Sequence, residues 1–255
     1  MKTPLMIGAA SLSFLLVIGD AQTQTYRYAA VSIHKSDPNE RNIRVSDGPQ
    51  GGIRTTNTSA LKLICYAYNL NDYQIVGAPA WASSESFDVM FTPDTAEATP
   101  QSEAALPQIQ TFFDHNRPRM QAVLRDRFGL VIRVETRELP IYRLLEAKGG
   151  NKLTRHATEN KRVDLSTNDN RQIRAIDVTM DMLAAQLSMQ FHRPVRNETH
   201  IDGEYDFTVD WVPDPDLPEG PVIEAINNKL GLRVETAKGP VPVYVVEKID
   251  RPTEN

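Results

Sequence analysis

Two stretches decide the fold. Phe128-Gly129-Leu130 leads into Arg133-Val134-Glu135-Thr136, and Leu230-Gly231-Leu232 leads into Arg233-Val234-Glu235-Thr236. Each follows an apolar segment of helical period. A glycine at that point fits the left-handed position that stops a helix. The β-branched run behind it reads as a strand. Further on, Pro140-Ile141-Tyr142 is echoed by Pro242-Val243-Tyr244.

Working outward, one unit recurs in four places: helix, short strand, turn, strand. The first helix is predicted over 59–68, with Thr58 or Ser59 as cap, because their hydroxyls can accept from free first-turn amides. Its strands fall at 73–76 and 87–91. The second helix is predicted over 119–128, since Met120, Val123, Leu124 and Phe128 share one face. Its strands fall at 130–136 and 141–147. The third runs over 179–190, with strands near Val195 and over 205–212. The fourth runs over 222–230, with strands at 232–236 and 241–249. Ahead of these, 26–33 and 53–57 read as strands. Ser86-Phe87-Asp88 is loosely echoed by Glu204-Tyr205-Asp206.

The pattern predicts an internally duplicated α+β fold. Each half is helix–strand–strand–helix–strand–strand, with helices packed on antiparallel or mixed sheets. The halves are expected at about 22–148 and 175–255, joined by a polar connector over 149–174. Residues 92–110 read as a loop.

The N-terminus sets the expected compartment. Lys2, an uncharged apolar run from Leu5 to Gly19, and small residues at Gly19 and Ala21 form a secretory leader over 1–21. The run is shorter than the roughly twenty residues that span a bilayer. The expected product is one secreted or periplasmic domain over 22–255, without a stable membrane span. The single cysteine, Cys65, has no partner for an internal disulfide and sits in an apolar stretch, so it reads as a small core residue. The net charge is −5, with Lys and Arg scattered among acids. No basic stripe suited to nucleic acid or anionic lipid is present.

Several motifs resemble one family. They are Glu135-Thr136-Arg137-Glu138-Leu139-Pro140-Ile141-Tyr142 with Ala147-Lys148-Gly149-Gly150 and Lys152-Leu153; Met182-Leu183-Ala184 with Leu187-Ser188; Arg193-Pro194-Val195; Gly203-Glu204-Tyr205-Asp206-Phe207 with Trp211; and Pro252-Thr253-Glu254-Asn255. Tyr28 to Ile33 fits the family's first strand more loosely. Together they resemble DUF3738, a soil-associated, mainly acidobacterial family of unknown function. The resemblance spans nearly the whole chain after the leader. It implies export and, in some members, attachment to membrane sensor-type peptidase modules. It also implies a weak link to calcium-dependent hydrolysis of N-acyl-homoserine lactones, with no catalytic positions to carry over.

The chemistry itself is sparse. The sequence lacks a Gly-x-Ser-x-Gly elbow, a His-Glu-x-x-His zinc motif and a Gly-rich phosphate loop. The remaining polar cluster is His192, His200, Asp202, Glu204 and Asp206. Lactone opening needs a base for water and an electrophile for the oxyanion, and a divalent ion can serve both needs. His200, Asp202 and Glu204 are the candidate catalytic residues. Asp202, Glu204 and Asp206 alternate, so on a strand they would face one way and could share a calcium ion. Against this, Asp202-Gly203 is also ordinary turn chemistry. Asp214, Asp216 and Glu219 form a second acidic group, and Asp164, Asn168, Asp169 and Asn170 a third. His34, His115 and His156 read as isolated, and Trp81 and Trp211 as core anchors at comparable places in their units. Two functions remain open. One is a secreted, calcium-assisted lactone hydrolase. The other is a non-catalytic envelope domain that binds a peptide, glycan or partner through its sheet edges.

Overall fold

The computed structural model describes residues 28–93, 105–157, 163–168 and 171–254. The expected leader lies outside them. The chain is α+β and forms two lobes around separate hydrophobic cores.

The first lobe contains β1 (Tyr28–Lys35), β2 (Arg44–Asp47), β3 (Ile53–Ser59), α1 (Ala60–Tyr68), β4 (Ile75–Val76), α2 (Trp81–Ser84), β5 (Ser86–Pro93) and α3 (Ala105–Phe128). The strand β6 (Val131–Glu146) then runs out of it. The second lobe contains β7 (Thr154–Arg155), β8 (Asp164–Asn168), β9 (Gln172–Val178), α4 (Met180–Gln190), β10 (Val195–Asn197), β11 (Tyr205–Asp210) and α5 (Gly220–Leu230), followed by β12 (Leu232–Lys248). Each lobe has an antiparallel outer sheet, in the order β1-β5-β3-β2 in the first and β7-β11-β9-β8 in the second. The central sheet is mixed, in the order β10-β6-β12-β4.

The long antiparallel pair β6–β12 ties the lobes together. Ile132 of β6 and Leu130 just before it, with Val246 of β12 and Ile249 just after it, pack in the first core. Tyr142 and Leu144 pack in the second core with Leu232 and Val234. Helices close both cores. Leu63 and Ile64 of α1 and Leu124 and Phe128 of α3 do so in the first lobe, and Leu183 and Leu187 of α4 and Ile226 of α5 in the second. Burying one such side chain contributes about 1.5–3 kcal/mol.

Local sequence accounts for the helix ends. Ser59 caps α1 by accepting from the Lys62 N–H at 3.2 Å, and Thr179 caps α4 by accepting from the Met182 N–H at 3.3 Å. Gly129 and Gly231 take φ of 57° and 64°, the left-handed region expected after each helix. Cys65 is buried and free, as expected.

Four expectations change. The turns expected within 130–147 and 232–249 are absent, since β6 and β12 each run unbroken through their prolines. Ala147 N–H donates inward to Gly231 O at 3.0 Å, and Tyr142 N–H donates outward to Pro194 O at 2.7 Å. Backbone groups alternate along a strand, so even-numbered residues of this pair point outward. Pro140, Pro240 and Pro242 are all even, and their missing N–H groups cost the ladder nothing. The loop expected over 92–110 gives way to β5 through Pro93 and to α3 from Ala105, which continues through Pro118. Residues 149–174, expected as a connector, carry β7, β8 and the start of β9. Finally, Arg133 stands two residues further from Gly129 than Arg233 stands from Gly231. The R-V-E-T copies are therefore offset when the helix ends are aligned. A two-residue step keeps their side chains on the same face.

Candidate functional site

The acidic cluster does not form a shared face. β11 begins at Tyr205, so Asp202 and Glu204 lie in the turn before it, with Gly203 at φ 111°. The alternation that would align them with Asp206 does not begin until after both. Among the described residues no three His, Cys, Asp or Glu side chains gather into a metal-holding group. His200 is exposed on a left-handed backbone, φ 57°.

Asp206 has other partners. Its Oδ1 accepts from the Asp177 N–H at 2.8 Å, and His156 Nδ1 lies 2.8 and 2.9 Å from its two oxygens. Asp177 is left-handed (φ 58°) where the β9–β11 register slips, and the carboxylate closes that bulge. The first lobe has the same arrangement. Asp88 Oδ1 accepts from the Asn57 N–H at 2.9 Å and from Ser36 Oγ at 2.6 Å, with Asn57 at φ 51° where β3–β5 slips. His156 is thus not isolated. Its partner is distant in sequence and is brought to it by the β7–β11 pairing.

The second acidic group is also divided. Asp214 orders its own turn by accepting from the Asp216 N–H at 2.9 Å, while Glu219 takes the Tyr142 hydroxyl. Burial first, then that glutamate, raises the Tyr142 pKa. Asp214 also borders an open depression of about 650 Å3 beside Trp211, Pro213 and Pro215. In the third group, Asp164 lies 3.8 Å from Arg174 and Asn168 donates to Gln172, while Asp169 and Asn170 lie outside the described residues. Trp81 precedes β5 whereas Trp211 follows β11, so their places differ.

A cleft of about 640 Å3 opens between the lobes. Helical spacing builds its walls. Lys62, Tyr66 and Asn69 sit at steps of four and three along α1 and its cap, Phe113 and Arg117 at a step of four along α3, and Ala185, Ser188, Met189 and His192 along α4 and its end. Asp72 and Tyr73 also line it.

The apolar part of the cleft is aromatic. Tyr66 and Phe113 stack with centroids 5.1 Å apart, and Met189 is 59% exposed beside them. Lys62 Nζ lies 5.5 Å from the Tyr66 ring centroid. Arg117 donates to Asn69 Oδ1 at 3.0 Å and pairs with Asp114. Burial lowers the Arg117 pKa from its ordinary value, so this cation faces a partly desolvated wall. Burial also raises the phenols of Tyr66 and Tyr73 and pushes the Cys65 thiol up to about 11. At the mouth, His192 Nδ1 lies 3.4 Å from Asp72 Oδ1. Sequence reading singled out His192 but not Asp72, Tyr66 or Phe113. Tyr66 lay within a predicted helix, but Asp72 and Phe113 fell outside the predicted helices, and the α4 partner wall is not visible from any one segment.

Among the described residues no helix is long and apolar enough to cross a membrane. No curated protein and no solved structure matches the chain. A family model described as protein of unknown function (DUF3738) matches residues 61–249, most of the chain. With the motifs in β6, α4 and β11 lying inside that span, the chain belongs to the DUF3738 family.

Proposed function

We propose that this chain is an exported binding module that takes a small amphipathic ligand, an acyl chain bearing a polar head, in the cleft between its lobes. The observation that carries this reading is the stacked Tyr66–Phe113 wall flanked by Lys62 and Arg117. An aromatic wall with a few convergent polar groups is what a small-ligand site requires. The aromatic face and Met189 would take the acyl chain, and the cations would take the carbonyl or carboxylate of the head. Export is supported by the leader pattern over 1–21.

The lobes are read as two related halves. The reading is supported by the matching order of the outer sheets, the paired caps Ser59 and Thr179, and the paired bulge carboxylates Asp88 and Asp206. Duplication then explains the cleft, because it forms where helices of the two halves face each other.

A second reading adds chemistry. The His192–Asp72 pair at the cleft mouth has the base-and-orienter form that could activate water against an N-acyl-homoserine lactone. Calcium, if used, would draw on Asp202 and Glu204, whose carboxylates make no side-chain hydrogen bond among the described residues.

One experiment tests both. The purified protein is titrated with N-octanoyl-homoserine lactone and with decanoate, and ring opening is followed with calcium and with chelator. The binding reading expects saturable binding of both, weakened about tenfold by Tyr66→Ala, since losing one aromatic contact is worth about 1.4 kcal/mol. No binding at millimolar probe refutes it. Ring opening abolished by His192→Gln would establish the second reading, and no turnover above the spontaneous rate refutes it.

A further inference from the structure

We propose that two copies of this chain pair through the outer edge of β6. β10 covers that edge only from Tyr142 to Leu144. From Val131 to Leu139 the outer side has no strand neighbour among the described residues. The alternation that spares the prolines also aims the backbone N–H and C=O groups of Ile132, Val134, Thr136 and Glu138 outward along this edge. Val131 and Val134 are 46% and 56% exposed there.

The outer edge of β12 opposite this stretch is blunted around its prolines. Pro240 and Pro242 remove two outward donors, the Pro242 carbonyl accepts from Gln74 Nε2 at 3.3 Å, and the Pro240 carbonyl accepts from the Arg196 side chain. Among the described residues Val131–Leu139 is thus a long stretch of β6 edge with every outward N–H present and no strand beside it.

The side chains select a second copy as the partner. An antiparallel pairing with its twofold at Val134 sets Val134 against Val134, Ile132 against Thr136, and Arg133 against Glu135 twice. Arg137 then lays its aliphatic stem across Val131. Outward-facing residues meet outward-facing residues in this register, so hydrogen bonds can form. Moving the twofold to Glu135 would place that carboxylate against itself and Arg133 against Arg137. The paired stretch, 131–137, ends before β10 begins, and a single twofold closes the assembly. The central sheet becomes continuous across both copies. Arg133 and Glu135 now pair within one chain, and Arg133 Nε also donates to Glu247 at 3.0 Å, so the exchange trades ion pairs rather than stranding charges.

Sedimentation of the purified protein from low to high micromolar concentration tests this. The expected result is twice the chain mass at the top of the range. Arg133→Glu should weaken the dimer at least about tenfold, through two like-charge oppositions. The double variant Arg133→Glu, Glu135→Arg should restore it. Thr136→Pro removes one outward N–H and no ladder bond to β12, so it should yield a folded monomer by circular dichroism. Wild-type protein that stays monomeric at every concentration overturns the proposal. A dimer indifferent to both Arg133→Glu and Thr136→Pro also overturns it. The cleft residues lie elsewhere, so ligand binding by these variants reports separately.

Discussion

Replacing Asp206 with alanine distinguishes a structural carboxylate from a catalytic one. In the fold this side chain satisfies the Asp177 N–H, on a residue only 3% exposed, and holds His156, whose side chain is 10% exposed. Removing it leaves a buried donor without a partner, which costs about 1–2 kcal/mol. The His156 contact adds about 0.5–1 kcal/mol, because the carboxylate itself is 40% exposed and partly screened. The sum is about 2 kcal/mol. For a domain of this size that lowers the melting temperature by about 4–8 °C. Asp206→Asn keeps an acceptor for the Asp177 N–H and should lose about half as much. Urea unfolding measures the first quantity and calorimetry the second. Added calcium should change neither. A variant that keeps wild-type stability while losing ligand turnover would refute this reasoning and return Asp206 to the metal site.

Asp88→Ala should lose a similar amount, about 2 kcal/mol in urea unfolding, because Asp88 closes the equivalent bulge through Asn57 and Ser36. Burial raises the Cys65 thiol to about 11, so the fold favours the protonated form. That contribution is full below the thiol's ordinary value near 9 and is lost as pH rises toward 11; the urea midpoint should fall across this window in wild type and less in Cys65→Ala. Iodoacetamide should modify native Cys65 at least about tenfold more slowly than the urea-unfolded chain at pH 8. Glu85 is held below its ordinary pKa, first by its hydrogen bond from Arg251, so that contribution is present above the ordinary carboxylate range and disappears on acidification. Arg251→Ala should therefore flatten the acid limb of the stability profile.

Local signals carried much of the fold. Ser59 and Thr179 have hydroxyls that can accept from first-turn amides, Gly129 and Gly231 have no Cβ to oppose the left-handed region, and apolar spacing placed α1, α4 and α5. The prolines of β6 and β12 misled because a proline's effect on a strand depends on which way its nitrogen points. That direction is fixed only by the partner strand. β2, β7 and β8 are short edge strands made mostly of polar residues, so in sequence they imitate loops. The site was less legible. Asp202, Glu204 and Asp206 look like an alternating triad until the strand is seen to begin at Tyr205. His156 looked isolated because its carboxylate belongs to a strand paired across the lobe. The cleft depends on α1 and α3 meeting α4, a relation set by packing between lobes rather than by any one segment.

The central claim is that the space between the lobes is where this protein meets its ligand. The direct measurement is a backbone and methyl NMR titration with N-octanoyl-homoserine lactone. Saturating shifts should concentrate at Tyr66, Tyr73, Phe113, Met189 and His192. Shifts confined to residues 200–206, or none at millimolar lactone, would contradict the account.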